Sequence, residues 1–203
     1  MIKQIIFDVG GVLLDFDPPT MVAAATRDPE AAALLLREMF SHADWNRLDR
    51  GEGEERVLES MKSRLPHTLH PLAEDIMAHW HESLRAREEM GPLVCELHSL
   101  GYPLYILSNA PFRFYQFRDL VPGYGLMTGV LLSCEEGLLK PDPAIFRRLL
   151  DRFGLKGEES FFIDDSPLNV ECAQWQGLTA FQFRRDLGEL RAALRAAGIP
   201  VSP

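Results

Sequence analysis

The chain has 203 residues, 46% hydrophobic and 25% charged, with 30 Asp and Glu against 21 Lys and Arg and a formal net charge of -9. This describes one globular domain, or one domain with an insertion, and excludes a disordered or fibrous chain. The acidic balance is the wrong sign for gripping nucleic acid or anionic lipid, no apolar run approaches the ~20 residues of a membrane span, and Asp8 interrupts the first apolar stretch before a signal-peptide core forms, so a cytoplasmic location is expected.

Residues 2–9 are an apolar, β-branched run broken by Asp8 and stopped by Gly10-Gly11. That pattern is a buried strand ending in a tight loop, with the acid at its C-terminal end. From residue 18 to about 88 Ala, Leu, Glu, Arg and His recur at helical spacing, with no strand among them. Asp28 is an N-cap there, with Pro29 at the first helical position of a helix reaching Met39. Further helices are expected over 54–64 and 71–87, four in all, making a small bundle. Strand and helix then alternate: a helix over 91–100, strands over 103–107 and 129–133, and a helix over 142–153 opened by Asp142-Pro143. A strand over 160–163, a helix capped by Ser166-Pro167, a strand over 180–183 and a helix over 187–197 complete the chain. The alternation predicts an α/β fold, a Rossmann-like doubly wound parallel sheet built from 1–17 and 89–203, with the α-helical block 18–88 inserted after the first strand. Cys95, Cys134 and Cys172 are odd in number and far apart, which excludes a disulfide framework and a CxxC metal site. All three read as small core hydrophobes.

In a doubly wound sheet ligands bind outside the carboxyl ends of the strands, and four polar groups stand at such ends. They are Asp8, Ser108-Asn109, Lys140 before its capped helix, and Asp164-Asp165. Each alone has a plain reading: a helix N-terminus for the acid pair, a turn for Ser108-Asn109, a solvated side chain for Lys140. Asp8 resists one, because a charge after Ile5-Ile6-Phe7 is costly unless paired or metal-bound. Three carboxylates near one point favour a hard divalent cation, Mg2+ bound by carboxylates, phosphate and water, with the Gly10 carbonyl available to it. Lys140, the Ser108 hydroxyl and loop amides such as that of Gly11 would hold the oxygens of a transferring phosphoryl group, with Asn109 beside them. Asp8 is then the candidate nucleophile.

Phe7-Asp8-Val9-Gly10-Gly11-Val12-Leu13, Leu107-Ser108-Asn109, the run from Gly137 through Lys140-Pro141-Asp142-Pro143 to Phe146, and Phe162-Ile163-Asp164-Asp165-Ser166-Pro167 resemble, in order, the four motifs of the haloacid dehalogenase-like hydrolases. The resemblance spans the whole chain, since the helical block is similar to that family's α-helical cap. It implies Asp8 as nucleophile and metal ligand, Gly10 as a carbonyl ligand, Ser108 and Lys140 as phosphoryl-binding groups, and Asp165 with Asp164 beside it as the late metal ligands. Family phosphatases carry a second Asp two residues after the nucleophile to protonate the leaving oxygen; here Gly10 stands there. Losing a general acid and base costs roughly 10²–10⁴-fold in rate. Three readings follow. The first is a Mg2+-dependent phosphatase of a small phosphorylated metabolite, with water or another side chain such as Asp15 or Asp17 moving the proton. The first motif resembles the branch containing bacterial α-D-glucose-1-phosphate phosphatase, whose sugar leaving group needs less help. The second reading is a metal-free haloacid dehalogenase, and the third a binding or regulatory protein without activity. Substrate choice is expected in the segment from His42 to Gly51, where Trp45 could stack on a sugar and Arg47 or Arg50 bind a second anion, against a core Trp and two surface arginines.

Overall fold

A computed structural model describes all 203 residues. The first strand, β1 (Gln4–Phe7), is buried at every position and leads through Gly10-Gly11 into β2 (Leu14–Asp15). Five helices follow: α1 (Pro18–Ala25), α2 (Pro29–Leu35), α3 (Asp44–Asp49), α4 (Glu54–Lys62) and α5 (His70–His79). Asp17 and Asp28 cap the first two with their carboxylates, each before a first-turn proline. A π-helical turn, Leu36–Phe40, prolongs α2. β3 (Arg85–Ala86) runs antiparallel to β2, so the chain leaves for the helices and returns along one short ribbon. The alternating half then contains α6 (Met90–Ser99), β4 (Leu104–Ser108), α7 (Phe114–Phe117), β5 (Gly129–Leu132), α8 (Ser133–Glu136), α9 (Pro143–Phe153), β6 (Ser160–Asp164), α10 (Pro167–Trp175), β7 (Thr179–Gln182) and α11 (Leu187–Ala196). No helix is long and apolar enough to cross a membrane.

The five strands order as β5-β4-β1-β6-β7, and every neighbouring pair is parallel. Alternate side chains feed separate cores: Ile5, Phe7, Ile106 and Ile163 belong to one, Ile6, Leu107, Phe162 and Leu131 to the other. With both faces covered, these strands read as unbroken apolar runs rather than alternating ones. A third core, with Val22, Leu35, Met39, Val57 and Met61, lies among the inserted helices. Each such side chain contributes roughly 1.5–3 kcal/mol through burial.

The structure corrects the sequence reading in four places. The insertion has five α-helices, not four. The helix expected over 71–87 ends at His79, passes into a 3₁₀ turn at Trp80–Ser83, and gives Arg85-Ala86 to β3, because pairing with β2 and burial of Leu84 outweigh local helical preference. Cys95 is exposed while Cys134 and Cys172 are buried. It lies between Leu93 and Leu97, whose i, i+4 spacing commits the opposite face of α6 to the core. Finally, Ser166 makes no side-chain cap for α10; its amide instead donates to Asp164 Oδ1 at 2.9 Å.

Candidate active site

Strand register assembles the site. β1 pairs Phe7 with Ile106 on one side and with Ile163 on the other. Asp8 therefore stands level with Leu107 and Asp164, with Ser108 one residue further on, and its amide donates to the Ile163 carbonyl at 2.9 Å. Lys140 is brought in by Asn109, whose side chain accepts from the Lys140 amide at 2.8 Å and donates to the Lys140 carbonyl at 2.9 Å. Both ends of Asn109 thus hold the main chain of the lysine, which makes it a positioning group.

The Lys140 ammonium donates to the Leu107 carbonyl at 2.9 Å and to Asp164 Oδ2 at 2.6 Å, and lies 2.9 Å from Asp8 Oδ1. Three donors meet three acceptors, which is what a buried ammonium requires. Burial works against its charge, but Asp164 and Asp8 outweigh that and hold its pKa above the ordinary lysine value. Burial pushes the Asp8 carboxyl up to about 7, against the pull of Lys140 and with the push of Asp164. One lysine does not neutralise this corner.

The acid pair divides its work. Asp164 is fully buried and saturated, accepting from Lys140, from Asn169 Nδ2 at 2.9 and 3.2 Å, and from the Ser166 amide. Asp165 turns into the cavity, where burial and then the charge of Asp164 raise its pKa. Ligand oxygens of Asp8, Asp164 and Asp165 all lie within 4.8 Å of one another. Gly11 makes this possible: its φ is +76°, and a Cβ there would stand 2.1 Å from Asp165 Oδ2. The adjoining turn runs from Gly11 N to Leu14 O and from Leu14 N to Val9 O, and leaves the Gly10 carbonyl outside it. Asp8, Asp165 and that carbonyl form a hard oxygen donor set of the kind that suits Mg2+.

Above these residues opens a cavity of about 310 Å³. Its floor includes Asp8, Gly10, Gly11, Ser108, Asn109 and Asp165; Phe16, Trp45, Trp80, Leu84, Phe114 and Phe117 give it an apolar roof. Trp45 is both readings at once. It lines the cavity and also packs in an aromatic cluster, 4.6 Å from Phe40 and 5.4 Å from Trp80 between ring centroids. The arginines are elsewhere: Arg47 is paired with Glu52 and Asp44, and Arg50 is exposed outside the cavity. Nor do Asp15 and Asp17 reach it, since Asp15 is bonded to Arg87 at 2.7 Å and Asp17 caps α1.

Two charged lining residues were not singled out from the sequence. Arg185, with φ +63°, is the cavity's one cation besides the buried lysine below it. Asp49, the last residue of α3, is 7% exposed and faces the same space. Its carboxyl is pushed up to about 7 by burial and then by the charge of Asp8, against Lys140. The Asp49 carbonyl accepts from the Ser133 hydroxyl, which in turn accepts from the Ala110 amide at 2.9 Å. Gly51, at φ +88°, closes the turn so tightly that a Cβ would lie 2.4 Å from the Cys134 carbonyl oxygen. Gly51→Ala is accordingly expected to destabilise the protein by about 1–3 kcal/mol through left-handed strain and displaced backbone. A calorimetric midpoint lower by several degrees would show it, and an unchanged midpoint would deny that this turn is tightly docked.

The model of a family described as haloacid dehalogenase-like hydrolase matches residues 2–177. The sesquiterpene phosphatase astK of Aspergillus oryzae is 26% identical over 189 residues, 91% of each chain. Acyl-CoA dehydrogenase family member 10 of Mus musculus is 24% identical over 98% of this chain, which spans 19% of that longer protein. Among solved structures, a HAD family enzyme of Bacteroides thetaiotaomicron in complex with magnesium and inorganic phosphate superposes with a TM-score of 0.72 at 20% identity, over 94% of this chain and 99% of that one. An L-2-haloacid dehalogenase superposes with a TM-score of 0.71 at 24% identity, over 92% and 88%. These structural likenesses are of fold.

Proposed function

This chain belongs to the haloacid dehalogenase-like hydrolases, and within that family we propose that it is a Mg2+-dependent phosphomonoester hydrolase working through an aspartyl-phosphate on Asp8. The observation that carries the reading is the charge at the strand ends. Asp8, Asp164 and Asp165 converge on Lys140 as the one buried cation among them, an arrangement suited to a cation and a phosphoryl group together. A dehalogenase using the same nucleophile without metal would have no use for the open carboxylate of Asp165. A binding protein would have no use for a nucleophile held against a saturated lysine. The likeness to a phosphatase over 91% of both chains supports the same choice.

An Asp8 carboxylate oxygen attacks phosphorus and the bond to the leaving oxygen breaks. Lys140, held by Asp164 and Asn109, presents positive charge beside the attacking oxygen. Ser108 and the amides following Asp8 face the phosphoryl oxygens and supply fixed donors. Asp8, Asp165 and the Gly10 carbonyl would hold the cation, which when bound neutralises carboxylate and phosphoryl charge. Water then attacks the aspartyl-phosphate and restores Asp8. The aromatic roof favours a small metabolite whose organic part presents an apolar face; a sugar phosphate stacked on Trp45 is the alternative.

Purified protein with Mg2+ is expected to release phosphate from p-nitrophenyl phosphate and from members of a panel of sugar and prenyl monophosphates. EDTA should lower the rate by about 10²-fold or more. Halide release from 2-chloropropionate in EDTA would replace this reading with the dehalogenase, and silence on both panels would leave the binding protein.

A further inference from the structure

Gly10 leaves the proposed phosphatase without a proton donor at the position where its family usually has one, and a Cβ there would meet nothing within 4 Å. The neighbouring acids are otherwise engaged: Asp15 and Asp17 hold Arg87 and α1, Asp164 is saturated, and Asp165 lies with the cation ligands. Asp49 alone faces the cavity without a partner. Its Oδ1 is buried and makes no hydrogen bond, an expensive state for a carboxyl with no task. It comes from the inserted helices, yet its main chain is tied to the sheet side through Ser133 and Ala110, and Gly51 packs its turn against Cys134. The carboxyl is therefore fixed relative to Asp8 by bonds that do not involve its own oxygens.

We propose that Asp49 is the general acid and base of this site, supplied from the helical insertion in place of a carboxylate at position 10. The inference rests on the phosphatase reading. In the first step the Asp49 carboxyl gives its proton to the leaving oxygen as the phosphorus–oxygen bond breaks and the bond to Asp8 forms. The alcohol departs and Asp49 is left as a carboxylate. In the second step Asp49 takes a proton from water as that water attacks phosphorus, Asp8 departs as a carboxylate, and phosphate is released with Asp49 protonated again. A carboxyl buried beside a second carboxylate holds a proton more readily than an exposed one, which suits the first half of the cycle.

The test is the dependence of kcat/KM on the leaving group, since this constant reports steps up to the first bond cleavage. Wild-type protein with Mg2+ is assayed on p-nitrophenyl, phenyl and p-methylphenyl phosphate; p-nitrophenol leaves readily as an anion, whereas phenol, with a pKa of about 10 like a tyrosine side chain, needs a proton. With a positioned acid the wild-type values should differ by less than about tenfold. In Asp49→Asn the loss on phenyl phosphate should exceed the loss on p-nitrophenyl phosphate by about 10²-fold. Residual p-nitrophenyl phosphate turnover shows that the variant is folded. A uniform loss across the series, no loss, or a steep dependence already in wild type would overturn the assignment while leaving the phosphatase reading intact. Wild-type protein that releases phosphate neither from these three esters nor from the sugar and prenyl monophosphates would remove both.

Discussion

Asp8→Asn is expected to abolish phosphate release, a loss on the order of 10⁴-fold or more, in a protein that remains folded. The two halves of this expectation have different origins. Asparagine is not a nucleophile toward phosphorus, and no nearby carboxylate is free to replace Asp8: Asp164 is saturated, and Asp165 belongs to the cation's donor set. Folding, by contrast, gains from the change. Burial raises the Asp8 pKa to about 7, so the site resists its charge, and the amide keeps the shape and can still accept from Val9 and Lys140. Lys140 retains Asp164 and the Leu107 carbonyl. The thermal midpoint in metal-free buffer should therefore be at or above that of wild type. Activity within tenfold of wild type would remove Asp8 from the mechanism, and a collapsed midpoint would refute the account of its charge.

The sheet and its polar edge were legible because several kinds of signal coincide there. Strands buried on both faces leave apolar runs, and a charged residue at the end of such a run has no cheap structural explanation. Asp8 could be singled out on that ground from the sequence, and Ser108, Lys140 and the acid pair by their coincidence with it. Residue pattern alone does not separate Asp164 from Asp165, and only the family resemblance ranks Asp165 first, because two identical neighbours at a strand end become different only when alternation sends one inward to Lys140 and the other toward the cavity. The β2–β3 ribbon was illegible for another reason: two residues a side carry no periodic pattern, and their pairing is wholly tertiary.

Asp49 was hidden most thoroughly. In sequence it is one acid of 30, five residues before the start of a helix rich in Glu. Its neighbours Arg47 and Arg50 are the more conspicuous candidates for binding an anion, yet Arg47 pairs locally with Glu52 and Arg50 faces solvent. What makes Asp49 special is the hydroxyl of Ser133, 84 residues away, which docks its carbonyl. The trace available in the sequence was Gly51, a residue that closes a helix where only a small side chain fits. That trace marks a tight approach and says nothing of the carboxyl two residues earlier.

Lys140→Met is expected to lose both activity and stability, and the two losses should be separable. Methionine preserves most of the stem volume but leaves Asp164 fully buried with an uncompensated charge and Asp8 beside it. Breaking a buried pair from one side costs about 3–5 kcal/mol, which for a chain of this size lowers the thermal midpoint by roughly 10 °C. Phosphate release should fall by 10³-fold or more, since the positive charge beside the attacking oxygen is gone. Adding Asp164→Asn to Lys140→Met removes one stranded charge while keeping hydrogen-bonding capacity toward Asn169 and the Ser166 amide. The double variant should recover about 1–3 kcal/mol relative to Lys140→Met, measured as a double-mutant cycle in urea, yet recover no turnover. Recovery of activity along with stability would mean that the lysine serves the fold alone. Failure to recover stability would mean that Asp164 is not the group Lys140 compensates, and that Asp8 carries the penalty by itself.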